Sequence, residues 1–391
     1  DLRRLAGDTG SFATLSAMAI RISPFLQEDE AAVREFNNRV RGRESTFEFP
    51  ETAMPEWLPP APGRPTFQQR FLALENDEVH GGYALKRQDF SFRGVASGVA
   101  CYHSALSEGV ANERYSDLDG QLISDALTRE PLLYTLEVDR TGRTPAHAAQ
   151  TSEWKRSAVP GYLRIVHPGA YLRNMETLRT TAWRRFLLSL AALTGLGWAG
   201  VRLHQRAKAK PQAAPSATVD FFDVFGAWSD DLWMQCAPRY PFLAVRDRAT
   251  LAILYPGGKF LRMKIASGGA TIGWAVAVDT QMQWNREFGD MRLGSLIDCL
   301  ALPEHAPQVI TAVRRVLERR GVDLIVCNHS HPAWGAALGG AGFLNGSFDL
   351  VFSASRALTR KLDEAGAADN LFLMRGDGNA RSLPEFGQAP L

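Results

Sequence analysis

At 391 residues, with 44 Lys and Arg against 42 Asp and Glu, the chain is long enough for two or three domains and is close to electrically neutral. That balance argues against a broad basic surface for nucleic acid or anionic lipid, and 45% apolar with 22% charged residues is the composition of an ordinary soluble protein. Cys101, Cys236, Cys299 and Cys327 lie far apart with no CxxC spacing, which argues against a disulfide framework and for a reducing, cytoplasmic compartment.

In chain order, residues 1–17 contain no continuous apolar run, so they are expected to be a disordered extension and not a signal peptide. Residues 19–42 read as a short strand and a helix with Ala32, Val33 and Phe36 inward. The six prolines of 50–66 exclude helix and central strand and leave a surface loop. Phe71–Leu74 and Val79–Leu85 make a hairpin around Glu75–Glu78. Residues 94–106 are a strand, 117–128 a helix, and Leu132–Val138 a strand. The polar 140–158 stretch is weakly helical. Phe186–Val201 is apolar, but its 16 residues and three glycines fall short of the roughly 20 a spanning helix needs. A buried helix, or peripheral membrane contact at the inner face, are its two readings.

The second half repeats the plan. Val219–Val224 is strand-like, Asp230–Cys236 helical, and Phe260–Ala266 with Thr271–Val278 a hairpin. Gly294–Ala301 is a strand, 307–320 an amphipathic helix, and Leu324–Cys327 an apolar strand buried on both faces. Pro332 suits the first turn of the helix that follows, with Trp334 as a packing residue. The segments 161–175 and 347–362 echo one another as strand, polar turn and basic amphipathic helix, consistent with a duplicated unit. The expected layout is an extension over 1–17, a domain over 18–203, a Lys-, Ala- and Pro-rich linker over 204–218, a domain over 219–380 and a tail over 381–391.

Cys327, His329 and His331 alternate, but no fourth ligand is spaced nearby, and no metal is expected. Asp298 lies inside an apolar strand, where a lone carboxylate is costly; it either faces a cleft or pairs with an arginine such as Arg292. Arg375-Gly376-Asp377-Gly378 reads as a tight turn.

The β-α-(α)-β-β-β-α-β-α-β order of each half resembles the GNAT acyltransferase fold. The motifs GGYALKRQDF (81–90), SEG (107–109), EPLLYTLEVD (130–139), LWMQCAPRYPFLAVRD (232–247), CNHSHPAW (327–334) and LMRGDGN (373–379) resemble tandem GNAT-like proteins of bacterial exopolysaccharide and exosortase gene sets, distantly Fem-like. The resemblance implies a mixed α/β tandem GNAT fold. It also implies transfer of an acyl group from acetyl-CoA or another acyl-CoA to an amino or hydroxyl group of a saccharide or lipid-linked glycan precursor. It offers His329, His331 and Glu108 as bases, with Asp298 beside them, and Arg114, Gly120, Gln121, Asn328 and Ser330 as donor-binding residues. Arg246-Asp247 resembles an acceptor-positioning pair, with a structural salt bridge as its other reading.

The family's phosphate-binding loop, Q/R-x-x-G-x-G/A, meets Arg114 and then Asp117 and Asp119 where glycines belong, and 302–308 holds no glycine. Carboxylates repel a pyrophosphate that glycine backbones would cradle. The alternatives are therefore a catalytically degenerate scaffold in polysaccharide assembly, or Fem-like aminoacyl transfer with a basic channel at Arg314, Arg315 and Arg319.

Overall fold

The computed structural model describes residues 20–41, 48–138, 154–174, 217–283, 285, 288–346 and 348–379. The extension over 1–17, the apolar 186–201 stretch, most of the 204–218 linker and the 381–391 tail lie outside these residues.

The first half supplies β1 (Arg21–Pro24), α1 (Glu30–Val40), β2 (Phe67–Glu75), β3 (Glu78–Phe92), β4 (Val95–Ser107), α2 (Leu118–Arg129), β5 (Leu133–Val138), β6 (Lys155–Val159) and β7 (Gly161–Ile165). Lys155–Val159 is thus a strand, although 140–158 reads as weakly helical; its partner arrives from a distant part of the chain. The second half supplies β8 (Thr218–Phe221), β9 (Phe242–Ala244), β10 (Leu261–Ser267), β11 (Ala270–Gln281), β12 (Arg292–Ala301), β13 (Leu324–Asn328), β14 (Leu344–Asn345), β15 (Leu350–Ala354) and β16 (Leu371–Phe372).

These strands form two mixed sheets whose membership does not follow the two halves. The nine-stranded sheet runs β1-β2-β3-β4-β5-β15-β6, with β9 on β3 and β16 on β9. The seven-stranded sheet runs β14-β7-β13-β12-β11-β10-β8. The echoing segments are therefore the arms that cross over: β7 pairs antiparallel with β13, Tyr162 opposite Cys327, and β15 with β5, Phe352 opposite Leu136. Pro160, which has no N–H to donate, separates β6 in one sheet from β7 in the other. Gly161 follows at the crossing, where a Cβ would stand 2.8 Å from the Phe348 ring. Only glycine permits that approach.

Helix Ala306–Arg319 buries Val309, Ile310, Val313, Val316 and Leu317 in the second half's core. The proline-rich loop belongs to the same packing. Trp57 and Leu58 enter that core, and the Trp57 indole N–H donates to Leu254 O at 2.9 Å. The loop is thus a staple between the halves. Among the described residues no helix is long and apolar enough to cross a membrane.

Candidate active site at the parting of the parallel strands

Each sheet contains one parallel pair of long strands that separates part-way. In the first sheet β4 and β5 pair only at Ala100↔Leu133 and Cys101↔Tyr134. On β4 the register against β3 then slips between Gly82 and Ala84, and Ser104 sits in that bulge with φ 54°. In the second sheet β12 and β13 pair from Leu293↔Leu324 to Leu296↔Cys327, and the register of β12 slips at the next residue, Ile297. A bulge adds a residue, bends its strand and raises the local twist, which is why each pair parts there.

The second opening is filled by the chain itself. Met374 bridges His329, Ser330 N donates to Leu373 O at 3.1 Å, and Leu373 N donates to Ser330 Oγ at 2.8 Å. The Asn328 amide accepts from Arg375 Nη2 at 2.9 Å and donates to Phe348 O at 3.0 Å. Asn328 and Ser330 are thus committed to holding residues 371–375, which is a structural task and not the donor contact expected of them. Gly376 lies so close to the Tyr255 hydroxyl that any Cβ would collide with it. Gly376→Ala is expected to destabilise the protein by about 1–3 kcal/mol in chemical denaturation, because the neighbouring groups are locked by their own bonds.

Beneath this segment lies a dry polar network between the two sheets. Arg246 is fully buried and donates through Nε to Asp298 at 2.9 and 3.1 Å, and through Nη2 to Asp377 at 3.0 and 3.1 Å. The partner of Asp298 is therefore Arg246; Arg292 instead pairs with Asp279 at 2.7 Å. Tyr255 OH and Cys299 N also donate to Asp298, at 2.8 and 2.9 Å. Of the two readings of Arg246-Asp247, the salt bridge applies to Arg246, while Asp247 caps helix Arg248–Leu254 by accepting from Thr250 N at 2.8 Å.

From the first half, Lys86 Nζ donates to Gly376 O and Gly378 O at 2.8 and 3.1 Å, and Tyr134 OH to Asp377 O at 2.6 Å. Two cations face two carboxylates, so the network is neutral. Burial pushes Asp298 up to about 6 despite the Arg246 charge. Burial also pulls Lys86 down to about 8, against the pull of Asp377.

His329 is buried, stacked on Trp334 with ring centroids 5.1 Å apart. Its Nδ1 accepts from His331 N at 3.1 Å, and His331 Nδ1 accepts from Ala333 N at 3.3 Å as the helix cap. Burial, then the charges of His331 and Arg246, hold His329 well below the usual imidazole range, and burial lowers His331 as well. Both rings are thus neutral with the proton on Nε2, where each is a donor and not a base. His329 Nε2 has no partner among the described residues.

The first-half candidates sit apart, at the far end of β4. Glu108 is held by His80 Nδ1 at 2.7 Å and by Arg39 at 3.5 Å. Arg114 is spent on both oxygens of Glu75, at 2.8 and 2.9 Å, while Tyr115 OH donates to Glu75 at 2.9 Å. Gly120 and Gln121 lie in the first turn of α2, beside the buried carboxylate of Asp119. This end is acidic and offers a diphosphate little free positive charge. Arg314, which only the Fem-like alternative would place along a basic channel, is partly buried and donates to Ala341 O at 3.3 Å. Among the described residues no group of three or more His, Cys, Asp or Glu has the geometry of a metal site.

The sequence reading did not weigh Lys86, Tyr255 or His103. His103 lies on β4 just past the last pair with β5, buried, its Nδ1 3.0 Å from Ser104 Oγ. A histidine inside the apolar run VACYHSAL was the signal for it.

No protein-family model matches the chain, and no curated protein matches it by sequence. The structure is similar to that of Saccharomyces cerevisiae N-myristoyltransferase with bound myristoyl-CoA and inhibitors. The identity is 11%, the alignment covers 89% of this chain and 82% of that one, and the TM-score is 0.51. A tandem GNAT protein from the clavulanic acid biosynthesis pathway aligns at 15% identity over 86% of this chain and 98% of that one, with a TM-score of 0.45. The fold, mixed α/β with two mixed sheets, is the one this chain shares with that N-myristoyltransferase.

Proposed function

We propose that the protein is an acyltransferase that moves an acyl group from acyl-CoA to an amino or hydroxyl group, borne by a saccharide or lipid-linked glycan precursor. The observation that carries this reading is the parting of each parallel pair at a β-bulge, within a fold shared with a transferase that binds myristoyl-CoA. A bulged strand leaves a backbone N–H outside the ladder, aimed where it steadies an oxyanion. The reaction runs in the first half, because residues 373–377 fill the opening of the second.

There His103 takes the acceptor's proton as the acceptor nitrogen or oxygen attacks the thioester carbon and the coenzyme A thiolate leaves. No covalent intermediate on the enzyme is needed. The second half, with Asp298, His329 and His331 buried, orients and braces the first. The donor competes with Glu75 for Arg114 at the start of α2.

A specific observation favours a second reading, a GNAT-like binding protein without turnover: neither half keeps glycines at its phosphate loop. Calorimetric titration of the full chain with coenzyme A and acetyl-CoA separates the two. Saturable one-site binding, with turnover abolished but acetyl-CoA binding retained in His103→Ala, supports the transferase. Absence of binding leaves the second reading.

A further inference from the structure

The outer edge of the first sheet carries a cavity of about 540 Å³, within the roughly 300–1,000 Å³ of small-molecule sites. It lies between the start of β2, the turn from β1 to α1 and the proline-rich loop. Phe25 and Met54 give it apolar surface, and Glu30, Glu56, Gln68 and Arg70 give it polar groups. None of these residues belongs to the networks described above.

Gln68 is 4% exposed, and its amide nitrogen has no hydrogen-bond partner among the described residues. A buried donor left unpaired costs about 1–3 kcal/mol, so such a group is a candidate for pairing with a ligand. A half-turn of the amide exchanges its nitrogen and oxygen without changing its shape.

The charges of the lining are unequal in their freedom. The Arg70 guanidinium is tied to Thr52, to its carbonyl and, at 3.2 Å, to its hydroxyl. Glu30 accepts from Ala53 N at 3.1 Å through one oxygen only. Glu56 is exposed and makes no hydrogen bond or ion pair among the described residues, its one electrostatic partner there being the more distant charge of the committed Arg70. Two carboxylates against one committed cation disfavour phosphates and acids and favour a cation.

The position of the cavity also matters. Gln68 pairs across the strands with Lys86, and Lys86 with Cys101, the residue at which β4 and β5 last pair. Cross-strand partners share a face, so Gln68 stands two strands, about 10 Å, from the parting on the same side of the sheet.

We infer that this cavity binds a hydroxyl-rich primary amine of one or two rings, an amino sugar being its simplest form. The amine meets Glu56 and Glu30, hydroxyls meet the Gln68 amide, and the ring's C–H face rests on Phe25 and Met54. That the bound amine is the acyl acceptor rests on the transferase reading; the binding itself does not.

The test is calorimetry on the full chain with D-glucosamine, D-glucose and D-glucuronate. D-glucosamine is expected to bind saturably, D-glucuronate at least tenfold more weakly, and D-glucose in between. Glu56→Gln, at an exposed position that folding tolerates, should weaken D-glucosamine at least fivefold, and Gln68→Leu should weaken both D-glucosamine and D-glucose. Acetyl-CoA binding should not move in either variant. No D-glucosamine binding, or unchanged affinity in Glu56→Gln, overturns the inference. D-glucosamine binding with no acetyl-CoA binding would instead remove the donor reading and leave the cavity assigned.

Discussion

Arg246→Ala is expected to lower the melting temperature by about 5–10 °C. The arginine is fully buried, and its removal leaves Asp298 and Asp377 facing one another with Lys86, which bonds only to the carbonyls of Gly376 and Gly378, as the one remaining cation of the network. Breaking a buried pair from one side costs about 3–5 kcal/mol, because the remaining charge stays desolvated. Arg246→Lys should restore little. A single ammonium cannot reach Asp298, Asp377 and Ala244 O together, as the planar fork does.

The loss should also depend on pH. Asp298 is raised by burial from the usual carboxylate value to about 6, so between pH 4 and 6 the folded protein holds a proton that the unfolded chain has released. Its contribution is present below that window and fades as pH rises through 6. Without Arg246 the carboxylate rises further and is neutralised more readily, so the deficit of the variant should be smaller at pH 5 than at pH 7. Scanning calorimetry at both pH values decides the matter. Equal deficits, or a shift under about 2 °C, would mean that the network carries little of the stability.

Severing the chain in the 204–218 stretch should abolish folding of both pieces when they are expressed apart. Without β15, β5 loses its antiparallel neighbour and β6 loses the strand that connects it to the sheet. Without β7, β13 becomes an edge and β14 has nothing to pair with. Exposed central strands with apolar faces aggregate in preference to folding. Circular dichroism and limited proteolysis of the separate pieces should report no cooperative unfolding, and co-expression should recover a soluble complex. A piece that unfolds cooperatively on its own would show that the crossed arms contribute docking and not foldability. The staple at Trp57 argues in the same direction, because the first half's loop completes the second half's core.

The local plan was legible from the sequence because it is written in short-range periodicity. The apolar spacing of 307–320 dictates a helix with one buried face, and Leu324–Cys327 is a strand buried on both sides. The echo between 161–175 and 347–362 announced two copies of one unit. What it did not announce is that each copy serves the other's sheet. Strand partners are chosen by long-range register and burial, and a strand with two apolar faces carries no mark of which sheet it enters.

The chemistry divides along the same line. A carboxylate at Asp298 inside an apolar strand told of a required partner, since burial of a lone charge is too costly to stand. Its identity was decided only when Arg246, 52 positions away, and Asp377, a further 79 along, were brought to one point by the filled opening of β12 and β13. Likewise the histidines of 329 and 331 were visible as candidates from their place after a buried strand. Only the fold reveals that backbone N–H groups occupy both Nδ1 atoms and leave the rings as donors. Residue types and local spacing fixed the elements and the demand for partners; which groups met, and which stayed dry, required the folded chain, because desolvation and hydrogen-bond commitment are properties of the packed interior.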